Sequence, residues 1–195
     1  MHPNTKELAT LKLTSLSDIH DDRAVAIQAG EIRQLASAVL ELGQALATAL
    51  SPLPLRVHWI DSREGVLNGE IPPGIEPVRA GRPLDEVAAA PAGAAYLVLT
   101  HSHALDFEIC AAVLERGDFA YLGLIGSATK RAKFERGFRE LGISRERIGR
   151  LVCPIGGGKV RDKRPPVIAA LVAAELIHCL AEELAGVPQV EWAVG

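Results

Sequence analysis

Short runs of strand-forming residues alternate along this chain with longer stretches whose apolar residues recur at helical spacing. That alternation restricts the fold to a parallel sheet covered by helices. The strand-like runs are residues 23–28 (RAVAIQ), 55–60 (LRVHWI), 76–80, 96–100 and 121–125. Between the first two, Ile32, Leu35, Ala36, Val39, Leu42, Leu46 and Leu50 line one face of a helix over residues 31–50, which Pro52 and Pro54 stop. Further helices are expected over residues 83–90, 105–116, 129–141, where Gly142 closes the last turn, and 166–184. The expected architecture is α/β: a Rossmann-like open, mostly parallel sheet with helices on both faces. Residues 1–22 read as an N-terminal remnant or extension, 23–185 as one domain and 186–195 as a tail.

With 195 residues and 48% hydrophobic content the chain can bury one sizeable core. A net charge of −3, from 21 basic and 24 acidic residues, leaves no basic surface of the kind nucleic acid requires. Any anion site must therefore be local. Cys110, Cys153 and Cys179 are odd in number and lack the paired spacing of a zinc site or a disulfide framework, which suits a reducing cytosol. The polar N-terminus lacks a signal-peptide core, and no apolar run reaches the roughly 18 to 20 residues of a membrane span. A cytoplasmic protein with neither membrane nor nucleic acid as partner is expected.

In an open parallel sheet, ligands collect beyond the carboxyl ends of the strands. Four such places carry chemistry here. After the first strand only Gln28-Ala29-Gly30 stands where a G-x-G-x-x-G cradle would be, so a standard dinucleotide site is not expected. Asp61, at the tip of the 55–60 strand, either accepts hydrogen bonds from a ribose or caps its own turn. Thr100, His101, Ser102 and His103 follow the 96–100 strand. His101 and His103, two apart, point to opposite faces of extended backbone and make a poor metal pair, so one of them, with Thr100 or Ser102, lines the crevice, and no metal site is expected. Ser102 or His103 caps the next helix, and Asp106 falls in its first turn, where the helix dipole alone accounts for it.

The fourth place is the richest. Gly126 and Ser127 form a turn and N-cap, and Lys130, Arg131 and Lys133 crowd the first turns of the following helix, where a cation is unfavourable unless an anion sits nearby. A phosphate resting on the free backbone N–H groups beside Ser127 and Lys130 would reverse the sign, while Arg131 and Lys133 can pair with Glu135 and Glu140. The loop at 153–165 repeats the logic. Cys153, Pro154, Ile155, Gly156 and Gly157 lead into a cationic stretch containing Lys163, just before another helix. The P-loop spacing is absent, because Val160 follows Lys159. The cationic neighbours of Cys153 are of a kind that lowers a thiol pKa.

Read together, THSHALDFEIC (residues 100–110), YLGLIGSATKRAKF (121–134) and CPIGGGKVRDKRPPVIAALVAAELI (153–177) resemble the ordered signature of the XdhC family's Rossmann domain. The resemblance begins near residue 53. It implies an accessory protein that binds the molybdenum cofactor (molybdopterin) as cargo, supports its sulfuration by a cysteine desulfurase and delivers it to xanthine dehydrogenase. A homodimer is a further expectation. The cargo phosphate would sit between Gly126, Ser127, Lys130 and the loop of Pro154, Ile155, Gly156, Gly157 and Lys163, with Asp61, Thr100, His101 and His103 lining the rest. No catalytic residue is nominated, and the chain is read as a chaperone rather than an enzyme. Family members carry GAGHVG before the first helix. Here that register falls on residues 38–43, keeping only Gly43, or on 28–33, keeping only Gly30. The rival readings are an NAD(P)-dependent oxidoreductase, suggested by Asp61, and a ligand-free adapter that docks a partner enzyme.

Overall fold

The computed structural model describes residues 10–15, 29–63, 66–100, 102–157, 160 and 162–181. Six parallel strands form one sheet: β1 (Thr10–Ser15), β2 (Arg56–Asp61), β3 (Ile75–Arg79), β4 (Ala95–Val98), β5 (Tyr121–Leu124) and β6 (Leu151–Val152). Their spatial order is β3-β2-β1-β4-β5-β6, the doubly wound arrangement in which the chain reverses direction across the sheet between β1 and β4. Among the described residues the α-helices α1 (Ala29–Leu50), α2 (Pro83–Ala89), α3 (His103–Arg116), α4 (Ala128–Glu140) and α5 (Arg145–Gly149) lie between the strands, and α6 (Pro165–Cys179) follows β6.

The central strand corrects the sequence reading. β1 pairs with both β2 and β4, Leu11 standing opposite Val57 and Ala95, yet it lies inside the segment set aside as an extension. Its signal is the period-two alternation of Leu11 and Leu13 with Thr10, Lys12 and Thr14. The strand expected over residues 23–28 lies outside the described residues. The two glycine registers are also corrected: Gly30 and Gly43 both lie within α1 rather than in a turn. A Cβ on Gly43 would stand 3.5 Å from the Trp59 ring, so this glycine serves the close packing of α1 on β2.

Strand alternation sorts the core into two layers. Ala95 and Leu97 of β4, and Leu99 just after it, enter the cluster that α1 and α6 cover, with Leu46, Leu50, Trp59, Val172 and Leu176. Tyr96 and Val98 enter the other, with Ile109, Val113 and Leu114 of α3 and with Phe134 and Phe138 of α4. Helices thus lie on both faces. Because α3 and α4 each follow a parallel strand, their N-terminal ends meet at the carboxyl edge of the sheet.

Candidate functional site

Asp61 is fully buried at the end of β2. Arg63 closes over it, its backbone N–H and Nε donating to Oδ1 at 2.9 and 3.1 Å and its Nη2 to Oδ2 at 2.9 Å. Both carboxylate oxygens are engaged by a residue two positions on, the capped-turn alternative rather than an acceptor held open for a ribose.

At the end of β4, the Thr100 hydroxyl donates to the Ser102 carbonyl at 2.8 Å and accepts from the Ser102 N–H at 3.1 Å. Ser102 is the N-cap of α3, its hydroxyl accepting from the Leu105 N–H. His101 lies outside the described residues. His103 opens α3 and is exposed.

Asp106 is more than a first-turn acid. It is buried, and accepts from the Thr100 N–H at 2.9 Å and from Lys130 Nζ at 2.5 Å. Lys130 also donates to the Ile125 carbonyl at 2.9 Å. The reading of Lys130 as a free phosphate ligand is therefore corrected: its ammonium joins the first turns of α3 and α4 and the end of β5. A carboxylate without solvent contact needs such a partner, since an uncompensated buried charge costs several kcal/mol.

The rest of the α4 start is organised around its N-cap. Ser127 caps the helix, its hydroxyl accepting from the Lys130 N–H at 3.2 Å. By helix geometry the N–H groups of Ala128 and Thr129 have no acceptor inside the helix. Arg131 donates to Glu135 at 2.7 Å and to the Cys153 carbonyl at 3.2 Å, which ties the α4 start to the loop after β6. Gly126 makes the approach closer still: a Cβ there would stand 2.8 Å from Lys130 Cδ and 3.1 Å from Cys153 Sγ.

In that loop, Ile155 is buried against α6, and Gly156 and Gly157 take φ values of 80° and 56°, the left-handed region that favours glycine. The peptide bond between Cys153 and Pro154 is cis. The Gly156 N–H donates to Glu175 Oε2 at 2.9 Å, which pins the loop to α6. Glu175 also stands beside Tyr121, whose hydroxyl is pushed above its ordinary range by burial first and by that carboxylate second. Lys163 is exposed, and Arg164 closes on Asp162 through contacts of 2.6 to 3.1 Å. The Cys153 thiol runs against the expectation from its cationic neighbours. Burial pushes it up more strongly than Lys130 and Arg131 pull it down, and Asp106 and Glu135 add to the upward push.

The structure therefore gathers Gly126, Ser127, Lys130, Cys153 and Pro154 at one edge, with Thr100 linked through Asp106. It places Asp61 under its own arginine. Sequence reasoning missed the Asp61–Arg63 and Asp106–Lys130 pairs and Glu175. Glu175 had a legible signal, a single acid within the otherwise apolar run VIAALVAAELI.

A sequence model described as the XdhC Rossmann domain matches residues 38–176. The chain belongs to the XdhC Rossmann-domain family. That match takes in β2 to β6 and nearly all of α6, so the candidate edge lies within the family domain. Among solved structures, one described as a xanthine dehydrogenase from Bacillus halodurans aligns at a TM-score of 0.65 and 18% identity, over 90% of this chain and 43% of that one. It supports the fold alone, and the XdhC-family chain spans less than half its length. A calicheamicin glycosyltransferase, CalG4, aligns at a TM-score of 0.38 and 20% identity, over 97% of this chain and 45% of its own. No curated protein sequence matches the chain.

Proposed function

We propose that this XdhC-family domain holds the molybdenum cofactor as cargo, within a cytoplasmic accessory protein that serves xanthine dehydrogenase. The observation that carries the reading is the family match over residues 38–176, joined to the packing of the capped α4 start against the glycine loop. The cofactor's phosphate would rest on the Ala128 and Thr129 N–H groups beside Ser127, using the positive end of α4. Gly156 and Gly157 let the neighbouring backbone approach the same guest. Sulfuration of the cargo would fall to a cysteine desulfurase partner, and a second copy of the chain is a candidate partner as well. Among the described residues no helix is long and apolar enough to cross a membrane. The acid on which the oxidoreductase reading leaned, Asp61, is engaged at both oxygens by Arg63.

Ser127→Asp tests the site. Aspartate keeps the N-cap while adding a negative charge where the phosphate would lie. The purified protein, reconstituted with molybdopterin and desalted, should yield a fluorescent pterin after acid oxidation, and the variant should retain at least tenfold less. Equal retention by the two proteins, with the variant folded by circular dichroism, would overturn the assignment.

A further inference from the structure

A groove of about 400 Å³ runs between α3 and α4, outside the crevice described above. Its middle is apolar: Ala104, Phe107, Phe134 and Gly137. Phe107 is half-buried and stacks on Phe138 at 4.7 Å, with the two rings 12° from parallel. A Cβ on Gly137 would stand 2.7 Å from the Phe107 ring, so the aromatic floor depends on a glycine facing it across the groove.

The two ends differ in charge. At the sheet edge stand His103 and Lys133; Glu108 follows about one and a half turns beyond His103, next to Phe107, and Glu140 about two turns beyond Lys133. Of the three cations in the first turns of α4, Lys130 is held by Asp106 and Arg131 by Glu135. Among the described residues Lys133 has no ion-pair partner. Glu140 meets Arg136 at 3.5 Å in a pair whose side chains are 70% and 76% exposed, a contact worth little and readily exchanged. Glu108 is exposed at the same end.

We propose that this groove binds a flat heteroaromatic ring carrying an anionic substituent at one end and an N–H or NH₂ edge at the other. The ring lies on Phe107, the anion meets Lys133 and His103, and the donor edge meets Glu108 and Glu140. Each part of the groove then has a complement, and its volume falls in the range of roughly 300 to 1,000 Å³ usual for small-ligand sites. His103 reports on the anion. Although His103 is exposed overall, partial shielding of its imidazole first, then Lys130 and Lys133, hold it below the ordinary range, against the opposing pull of Asp106. A bound anion offsets those cations and moves the titration midpoint up. Glu108, Arg136 and Glu140 also line the groove, so their substitutions calibrate the shift.

The choice of a pteridine as probe rests on the cofactor reading above. Pterin-6-carboxylate, which is fluorescent and has both ends, is titrated into the full chain, with unsubstituted pterin and benzoate as single-ended controls. Binding should exceed that of either control at least tenfold. It should fall tenfold or more in Lys133→Glu and about fivefold in Glu108→Gln, both at exposed positions, and the His103 midpoint measured by NMR should rise with the probe bound. Unchanged binding in both variants, or no binding at millimolar probe, overturns the subsite. If Lys133→Glu abolishes probe binding while the wild type retains no molybdopterin, the subsite stands and the cofactor reading falls. If the wild type retains molybdopterin but binds no probe, the reverse holds.

Discussion

Lys130 illustrates how one residue can satisfy two arguments while performing only one of them. A lysine beside a helix N-cap invites an anion, but its ammonium reaches 2.5 Å from a carboxylate that has no solvent contact. Lys130→Met leaves Asp106 buried without its counter-ion, and should lower stability by about 3 to 5 kcal/mol in urea denaturation. Adding Asp106→Leu should recover part of that loss, because a packed apolar pair replaces the charged one. A single variant as stable as the wild type would sink this account. The thiols make a second residue-scale case. Cys179 is exposed, its thiol raised by partial burial first and by Glu175 second, whereas Cys153 is buried and raised by that burial, and the fully enclosed Cys110 is pushed well above its ordinary range. A raised pKa means less thiolate at neutral pH and slower alkylation. Iodoacetamide at pH 7.5, followed by mass spectrometry, should label Cys179 first, Cys153 later and Cys110 last. Early labelling of Cys153 would mean that its cationic neighbours outweigh its burial.

Among the elements, the edge of the sheet opposite the candidate site is secured by arginines that complete helix ends. Arg116 of α3 donates to the carbonyls of Val87, Ala88 and Ala90 at the end of α2 and pairs with Asp118 at 3.0 Å. Arg147 of α5 donates to the Leu114 and Glu115 carbonyls, and Arg150 to those of Gly117 and Phe119, its guanidinium 3.8 Å from the Phe119 ring centroid. These guanidinium groups donate to carbonyls at the C-terminal ends of α2 and α3, where the last turn leaves acceptors open, and to the Phe119 carbonyl in the loop before β5. Arg116→Ala should cost about 1 to 3 kcal/mol, since it removes charge-assisted bonds to several carbonyls at once. Arg136→Ala, which breaks only an exposed pair one helical turn long, should cost under about 0.5 kcal/mol. Thermal melts of the two variants compare them directly, and equal shifts would remove the capping argument. Most helices were legible because their apolar period is local. The short α5 and two-residue β6 were not, because five and two residues carry too little periodicity to read.

For the molecule as a whole, everything turns on the strand at its centre. β1 joins the β2-β3 half to the β4-β5-β6 half, so its removal leaves two unpaired edges where the sheet was continuous. A chain lacking residues 1–15 should lose its cooperative unfolding transition, and an unchanged denaturation midpoint would contradict the topology. The sequence by itself determined the α/β class, the apolar face of α1, the N-cap at Ser127, an α3 cap at Ser102 or His103 and the family signature, since each rests on neighbours a few positions apart. Only the tertiary structure decided that Lys130 belongs to Asp106, 24 positions away, and that Gly156 is held by Glu175, 19 away. It likewise decided that Cys153 is governed by burial rather than by nearby charge. Charge and polarity along a chain mark which groups need partners, but desolvation on folding selects the partner, and the distances that select it exist only once the sheet has formed.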